Sequence, residues 1–241
     1  SGETRMTPKS SEEFVIETME NSQEAAGFKA PEQEFTEKAN WKATADSEEK
    51  VKEGPNGPAQ KIFDGDASTY YHSQYSDKSN KDSYEWTHNI YIDFGEKLEG
   101  LNSLAYHKRL HQGNPTAAGH IKDYEVYACE SKADLQDDTK GTLVASGTFK
   151  GDTNTRIEYA NFNETVNTQY LRFVVKSSFG TKEEKYVTSI GELGFFKDKA
   201  VFPEKSFSQI KASELTVKGE PEVVEANGYK TLTFTFNPIT A

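Results

Sequence analysis

The middle of the chain alternates apolar and polar residues over short runs, which are separated by loops rich in Gly, Asn, Asp and Ser. The runs are NIYIDFG, LNSLAYHKR, IKDYEVYACES, TLVASGTF, QYLRFVVKSS and SIGELGFF. A period of two places alternate side chains on one face of a strand, so each run is typical of a strand with one face on a core. Because no helical period interrupts the runs, the pattern predicts an all-β fold, a β-sandwich or jelly roll.

The two ends of the chain differ from this middle segment. The acidic stretch SSEEFVIETMENSQEAAGF fits either a capped helix or a strand at FVIETM followed by a loop. Near the other end, Asn227-Gly228 separates two β-prone runs and predicts a hairpin. We therefore expect an N-terminal appendage at 1–39, a sandwich module at 40–199, and at 200–241 a C-terminal appendage that is a β-hairpin or the start of a further domain.

Composition and charge narrow the function classes. The 241 residues carry a formal net charge of -11, and 12% of them are aromatic. The negative charge repels phosphate backbones, and no Lys/Arg cluster with interleaved aromatics compensates for it, which argues against a nucleic-acid partner. No apolar run approaches the roughly 18 residues that span a bilayer, and the first residues do not resemble a signal peptide. We expect a piece of a longer protein without a membrane partner.

The sequence favours binding over catalysis. Cys129 is the only cysteine, which excludes an intrachain disulfide and any multi-cysteine metal site. It lies in the alternating run YEVYACES, so we expect a buried and inert thiol. The chain has no Gly-x-Ser-x-Gly elbow, no His-Glu-x-x-His helix and no phosphate-binding glycine loop. We therefore predict that the chain is not an enzyme.

The stretch KIFDGDASTYYHSQY combines a candidate cation loop with an aromatic cluster. Asp64, Asp66 and Thr69 supply hard oxygen ligands around Gly65, which permits a tight turn, and Ca²⁺ prefers such ligands. An ordinary surface turn has the same Asp-Gly-Asp pattern. The following aromatic and histidine residues fit either core filler or the wall of a binding site, and these residues are Tyr70, Tyr71, His72 and Tyr75.

A separate segment, YHKRLHQGN, adds polar groups suited to hydroxyl recognition. The guanidinium of Arg109 and the amide of Asn114 can each bridge neighbouring hydroxyls. A flat ring beside such donors is typical of a sugar site, because the ring stacks on the apolar C–H face while directional polar groups select a hydroxyl configuration.

Several motifs in a fixed order carry a family resemblance. These motifs lie between about Trp41 and Phe196. In order they are FDGDASTYYHSQY, NIYIDFG, YHKR with a later Asn and IKDYEVYACES, YLRFVV and IGELGFF. In this order they resemble a family 32 carbohydrate-binding module, a member of the discoidin or coagulation factor type C superfamily. The resemblance implies a galactose-binding-like jelly roll with a structural calcium ion and loops that bind terminal galactose or N-acetylgalactosamine.

The resemblance also implies a role for individual residues. The implied calcium ligands are the backbone carbonyl of Lys61 and the side chains of Asp64, Asp66, Thr69 and Glu192. The implied sugar-binding residues are Glu53, His72, Tyr75, Arg109 and Asn114, with an aromatic wall from SSFGTKEEKY, where we prefer Phe179 to Tyr186. Tyr75 stands where the family commonly has tryptophan, so its smaller face and its hydroxyl imply a different sugar preference.

The expected function is therefore non-catalytic recognition of terminal galacto-configured sugars on glycans. The module would tether a larger secreted or bacterial surface protein, with a glycoside hydrolase or glycoprotein-directed peptidase domain of the same parent chain as its partner. The alternative is a structural spacer, or a protein-interaction discoidin domain whose sugar site is inactive.

Overall fold

The computed structural model describes residues 13–18, 23, 27–111, 114–115, 119–151, 154–180, 186–203, 206–211 and 217–237. The chain divides into two compact units. One unit runs from Phe28 to Val201, and the other combines Ser1–Gly27 with Phe202–Ala241. Within the described ranges, no helix is long and apolar enough to cross a membrane.

Strands dominate the described elements. In chain order they are β1 (Glu13–Thr18), β2 (Lys42–Ala45), a 3-10 helix (Ala59–Phe63), β3 (Tyr71–His72), α1 (Lys81–Tyr84), β4 (His88–His107), β5 (Leu110–His111), β6 (Asn114–Pro115), β7 (His120–Ile121) and β8 (Asp123–Cys129). They continue with α2 (Lys132–Leu135), β9 (Thr142–Thr148), β10 (Ile157–Val175), β11 (Ser178–Phe179), β12 (Ser189–Ile190), β13 (Glu192–Phe196), β14 (Ser206–Lys211), β15 (Glu222–Ala226) and β16 (Tyr229–Thr233).

Two long antiparallel strands, β4 and β10, organise the larger unit. The main sheet has the order β13-β4-β10-β8-β9, and β2 also pairs with β4. The pairing of β10 with β4 shifts register at Asn161/Val166, Val166/Thr168 and Thr168/Tyr170. Such bulges bend and twist a strand. Here they separate the half of the ladder that carries β2, β8 and β9 from the half that carries β13, and the result is the predicted β-sandwich.

The core lies between the two halves of this ladder. Trp41 packs edge-on against Phe63, Phe94 and Phe195, with ring centroids 5.2, 4.9 and 5.8 Å away. Alternate residues along β4 and β10 are buried, as expected for strands with one face on a core. Cys129 is buried at the end of β8, and burial raises the pKa of its thiol. The buried position of Cys129 therefore agrees with the expected inert thiol.

The first described residues of the larger unit extend the sandwich at β13. The backbone N–H of Phe35 donates to the carbonyl of Phe195 at 2.9 Å, and Lys197 N–H donates to the carbonyl of Gln33 at 2.8 Å. The compact unit thus begins at Phe28 rather than near residue 40. Single backbone hydrogen bonds such as these need no run of alternating apolar and polar side chains, so the sequence pattern does not predict them.

Among the described residues of the smaller unit there are two strand pairs. β1 pairs antiparallel with β14, so the FVIET stretch is a strand and the helical alternative is wrong. β15 and β16 form the predicted hairpin, in which Asn227 has φ 54° and Gly228 has φ 78°. Two consecutive left-handed residues are typical of the type I′ turn that fits the twist of a hairpin.

Candidate functional site

Glu49 fixes the loop that carries the site. It is 1% exposed, and its Oε1 accepts hydrogen bonds from the backbone N–H groups of Tyr75 and Ser76 at 3.0 and 2.8 Å. Its Oε2 accepts from the Ser76 hydroxyl and from the N–H groups of Val51 and Lys52. Burial raises the pKa of this carboxyl, but the five hydrogen bonds outweigh burial and lower the pKa to about 2. Nothing in the sequence indicated this role.

Glu53 lies at the centre of a group of five side chains, which we call the Glu53 group: Glu53, Tyr70, His72, Tyr75 and Arg109. The Glu53 carboxylate accepts hydrogen bonds from the hydroxyls of Tyr70 and Tyr75, the latter at 2.8 Å. His72 Nε2 lies 3.9 Å from Glu53 Oε1, and Arg109 Nη2 lies 3.8 Å from Glu53 Oε2. The structure therefore brings together four of the expected sugar-binding residues and adds Tyr70.

The guanidinium of Arg109 lies over an aromatic ring. Its guanidinium carbon is 3.9 Å from the centroid of the Tyr70 ring. Its Nε is buried and has no hydrogen-bond partner among the described residues. A planar guanidinium held on a ring keeps its donors in a fixed orientation. Arg109 therefore keeps a donor that no described residue uses.

His72 is held as a neutral acceptor. Its Nδ1 lies 2.7 Å from the carbonyl of Ser73, so Nδ1 carries the proton and Nε2 keeps its lone pair. Burial lowers the pKa of His72, and the charge of Glu53 only partly opposes this effect. The His72 ring meets the ring of Tyr75 edge-on at 5.0 Å.

The electrostatics of the Glu53 group favour a hydroxyl-rich ligand. Burial raises the pKa of Glu53, but hydrogen bonds from Tyr70 and Tyr75 and the charge of Arg109 outweigh it, so the pKa is lowered. Burial and the hydrogen bond to Glu53 raise the pKa of Tyr70 to about 12. At neutral pH the group thus combines an ionised carboxylate, a guanidinium and a neutral imidazole. These groups accept from and donate to neighbouring hydroxyls.

Two other expected residues lie near this group in the chain. Asn114 belongs to β6, which pairs with β5 directly after Arg109, and its side chain lies outside the described part. Tyr71 is fully buried and donates its hydroxyl to the carbonyl of Ser47 at 2.7 Å. Of the two roles considered for the aromatic cluster, Tyr71 therefore has the core role.

Phe179, the preferred aromatic wall, lies in a short strand pair of the larger unit. It belongs to β11, which pairs with β7, and the ammonium of Lys122 lies 5.6 Å from its ring centroid. A Cβ on Gly151 would approach the ring to 2.5 Å, so Gly151 covers the ring closely. In the part of the chain that the structure describes, no ring contact or hydrogen bond joins Phe179 to the Glu53 group.

The candidate cation loop is tightly turned. Asp64 Oδ1 accepts from the N–H of Asp66 at 2.9 Å, and its other oxygen accepts from the Thr69 hydroxyl. Asp66 Oδ1 accepts from the N–H and the hydroxyl of Ser68 at 2.8 and 2.6 Å. Gly65 has φ 70°, which a residue with a side chain rarely adopts. Lys61 lies in the last turn of the 3-10 helix, ahead of this loop.

Glu192 at the start of β13 meets this loop. Burial, and then the hydrogen bond and negative charge of Asp64, raise the pKa of Glu192 to about 8. Its Oε1 is buried without a partner among the described residues. Asp64, Thr69 and Glu192 therefore fit an oxygen-preferring cation such as Ca²⁺. The described residues contain no group of three or more His, Cys, Asp or Glu side chains placed to hold a metal, so carbonyl, hydroxyl or water oxygens would complete the ligand set.

Arg156 connects the cation loop to the strand before Arg109. Its Nη2 donates to the carbonyl of Ala67 and its Nε to the carbonyl of Lys108, both at 3.4 Å. Lys108 is fully buried and pairs with Glu158 at 3.1 Å. The backbone that presents Arg109 is thus fixed from both sides.

Comparisons with known proteins agree with this architecture. The chain is similar to CpGH89CBM32-5 of Clostridium perfringens, solved in complex with GalNAc-β-1,3-galactose, at 22% identity and a TM-score of 0.51, covering 66% of this chain and 96% of the other. It is also similar to the family 32 module of C. perfringens NanJ, solved in complex with galactose, at 23% identity and a TM-score of 0.50, covering 68% and 98%. The module CBM32-3 from a family 31 glycoside hydrolase of C. perfringens matches at 23% identity and a TM-score of 0.53, covering 68% and 95%.

These similarities confirm the predicted fold class. Among curated proteins, none matches the chain. A comparison with protein families matches residues 42–193 to the F5/8 type C domain. Since this match spans more than half of the chain, the protein belongs to the F5/8 type C, or discoidin, domain family.

Proposed function

We propose that this protein is a non-catalytic carbohydrate-binding module that recognises terminal galactose or N-acetylgalactosamine. The observation that carries the proposal is the Glu53 group, which holds a neutral imidazole, a ring-supported guanidinium and an ionised carboxylate close together. The family 32 modules solved with galactose and with GalNAc-β-1,3-galactose support the proposed ligand class through their shared fold.

Hydrogen-bond geometry accounts for a galacto preference. His72 Nε2 accepts a hydrogen bond from one hydroxyl, while Arg109 donates to hydroxyl oxygens beside it. An axial O4 and its neighbour O3 project toward one side of the sugar, where both partners can reach them. An equatorial O4 leaves buried polar groups unpaired, at a cost of about 1 to 3 kcal/mol each.

Calcium binding is the second part of the proposal. Asp64, Thr69 and Glu192 would hold the ion, with Asp66 and the Lys61 carbonyl as the further ligands implied by the family resemblance. A bound cation would neutralise two facing carboxylates and fix the loop that leads into Tyr70. The ion would preorganise the site without touching the sugar.

A tethering role follows from the expected strength of binding. One sugar offers few contacts, and a millimolar dissociation constant corresponds to about -4 kcal/mol. Such a module holds its parent protein on a glycan more strongly when sister domains of the same chain bind at the same time. We propose an extracellular or bacterial cell-surface parent protein with a catalytic domain, either a glycoside hydrolase or a glycoprotein-directed peptidase.

The test is a calorimetric titration of the wild-type protein and of Arg109→Ala with galactose, N-acetylgalactosamine and glucose. We expect saturable binding of both galacto sugars by the wild type, no binding of glucose, and at least about a tenfold loss in Arg109→Ala, since a guanidinium hydrogen bond contributes more than 1 kcal/mol. Unchanged binding by Arg109→Ala would remove this residue from the site. Absence of binding to every galacto-configured ligand would favour the spacer alternative.

A further inference from the structure

A second group of rings lies next to the Glu53 group, and we call its members Tyr84, Trp86 and Tyr186 the aromatic shelf. The Tyr84 and Tyr186 ring centroids are 5.2 Å apart at 74°, and those of Trp86 and Tyr186 are 6.3 Å apart at 70°. All three residues are half-buried. Their contacts are edge-on, so the rings keep accessible area.

Core packing does not account for the whole shelf. Trp86 packs partly against the core, but Tyr84 and Tyr186 are outside the group of residues that do so. The helix α1, which ends at Tyr84, buries none of its residues. The helix α1 thus holds the Tyr84 ring against Tyr186 without adding to the core, and part of the ring stays accessible to a ligand.

One edge of the shelf is bonded to the residue after His72. Ser73 N–H donates to the carbonyl of Thr188 at 2.9 Å, and Thr188 N–H donates to the Ser73 hydroxyl at 2.8 Å. His88 Nε2 lies 2.7 Å from the carbonyl of Tyr186. The segment that carries Tyr186 therefore runs beside His72, about 5 Å away, which is the spacing of paired strands.

The other edge is bonded to the residue before Tyr75. The hydroxyl of Ser83 donates to Gln74 Oε1 at 2.8 Å, and Gln74 Nε2 donates to the carbonyl of Asp77 at 2.6 Å. Tyr84 follows Ser83 directly. The shelf and the Glu53 group are thus both bonded to the same four-residue segment, His72 to Tyr75.

Polar groups accompany the rings. The ammonium of Lys78 lies 5.5 Å from the Tyr84 ring centroid, and the Tyr84 and Tyr186 side chains end in hydroxyls. Ring faces with nearby donors match the amphipathic surface of a sugar, which has an apolar C–H face and a hydroxyl rim.

We propose that the aromatic shelf is a subsite for the next sugar of the glycan whose terminal sugar binds the Glu53 group. This inference rests on the proposed function and extends it: the protein selects oligosaccharides over the free monosaccharide. The penultimate sugar lies against Tyr84 and Trp86, and the Glu53 group alone decides the configuration of the terminal sugar.

Calorimetry on two variants tests the subsite. The ligands are N-acetylgalactosamine, galactose, GalNAc-β-1,3-galactose, N-acetyllactosamine and the N-acetyllactosamine dimer. We expect at least one oligosaccharide to bind the wild type about tenfold more tightly than its terminal monosaccharide, because an added ring contact of this kind contributes on the order of 1 kcal/mol. Tyr84→Ala should remove that advantage and leave monosaccharide affinity unchanged. The matched control is Tyr170→Ala, a half-buried tyrosine on β10 that pairs with Cys129.

Tryptophan fluorescence gives an independent readout. The chain has two tryptophans, and Trp41 is 3% exposed within the core. A change of emission on ligand binding therefore reports chiefly on Trp86. Oligosaccharides should change the emission saturably at the calorimetric dissociation constant, and Trp86→Phe should abolish the change.

The outcomes separate the subsite from the proposed function. If the wild type binds monosaccharides but no oligosaccharide more tightly, the subsite is wrong and the proposed function stands. If Tyr84→Ala keeps the full oligosaccharide advantage, the subsite is also wrong. If neither the monosaccharides nor the oligosaccharides bind, both the subsite and the proposed function are wrong.

Discussion

At the scale of single residues, the site depends on carboxylates whose environments differ. Glu49 accepts hydrogen bonds from the protein at both carboxylate oxygens, whereas Glu53 has the same charge but faces Tyr70, Tyr75, His72 and Arg109. Glu49 holds Tyr75 and the segment before Glu53 in place. Glu49, which is nearly inaccessible to solvent, therefore positions the backbone that leads into Glu53.

The first prediction concerns Glu49 and pH. Its folded-state pKa of about 2 lies below the ordinary glutamate pKa of 4.5, so its contribution to stability is present above pH 4.5 and is lost as the pH falls toward 2. A shift of this size corresponds to about 3 kcal/mol. Glu49→Gln should lower the free energy of unfolding at pH 7 by an amount of that order and flatten its acid dependence, as measured by urea denaturation from pH 7 to pH 3.

The control is Glu96→Gln, since Glu96 is an exposed carboxyl in β4. Its free energy of unfolding should stay within about 0.5 kcal/mol of the wild type. An acid profile in Glu49→Gln that matches the wild type would contradict the role assigned to Glu49.

At the scale of elements, long-range strand pairing decides where a strand begins and ends. The runs NIYIDFG and LNSLAYHKR predicted two strands, but both belong to β4. The two glycines of the intervening GEKLEG, Gly95 and Gly100, are typical of a turn, and in the structure they have φ 80° and 82°. The strand nevertheless continues through them. Long-range partners decide this outcome, because β10 pairs with both halves of β4.

The site shows the same limit of local reasoning. The family resemblance indicated His72 and Arg109, and the structure places them 3.9 and 3.8 Å from the Glu53 carboxylate. The contact of Glu53 with the Tyr70 hydroxyl depends on how a loop folds back over 17 residues, and no local pattern encodes it. The buried role of Arg172 was missed for a similar reason, since its partners are backbone carbonyls, which every sequence has.

The second prediction concerns the loop that follows α2. Arg172 is 1% exposed, and its Nη1 donates to the carbonyls of Asp134, Leu135 and Asp137 at 3.1, 3.2 and 3.0 Å. Its Nη2 donates to the carbonyl of Lys140 at 2.5 Å. Removing the guanidinium leaves buried carbonyls unpaired. Arg172→Met and Arg172→Lys should each lower the free energy of unfolding by about 2 to 4 kcal/mol.

Chemical denaturation measures this loss, and limited proteolysis should locate new cleavage within residues 134–140. Galactose affinity, measured well below the unfolding temperature, is the internal control and should not change, because the contacts of Arg172 lie outside the Glu53 group. Denaturation of Arg172→Met at the wild-type midpoint would contradict the proposed anchoring of the loop.

At the scale of the whole molecule, the candidate cation loop joins parts that are distant in sequence. Asp64 and Thr69 lie after the 3-10 helix, while Glu192 begins β13 near the end of the sandwich unit. Arg156, at the start of β10, bonds the carbonyl of Ala67 in this loop. An ion at Asp64 and Glu192 would therefore close the sandwich and support the strand before Arg109 at the same time.

The last prediction follows from this closure. If the protein binds Ca²⁺ at 100 times its dissociation constant, binding stabilises the folded state by about 2.7 kcal/mol. For a chain of this size that corresponds to a fall in Tm of about 5 to 10 °C on chelation. Chelation should also weaken galactose binding, because the loop that leads into Tyr70 and contacts Arg156 loses its support.

In Asp64→Ala the chelator should have no further effect on Tm, whereas Asp82→Asn, which changes an exposed carboxyl of α1, should respond like the wild type. An equal Tm of the wild type with Ca²⁺ and with chelator would contradict calcium binding at Asp64 and Glu192.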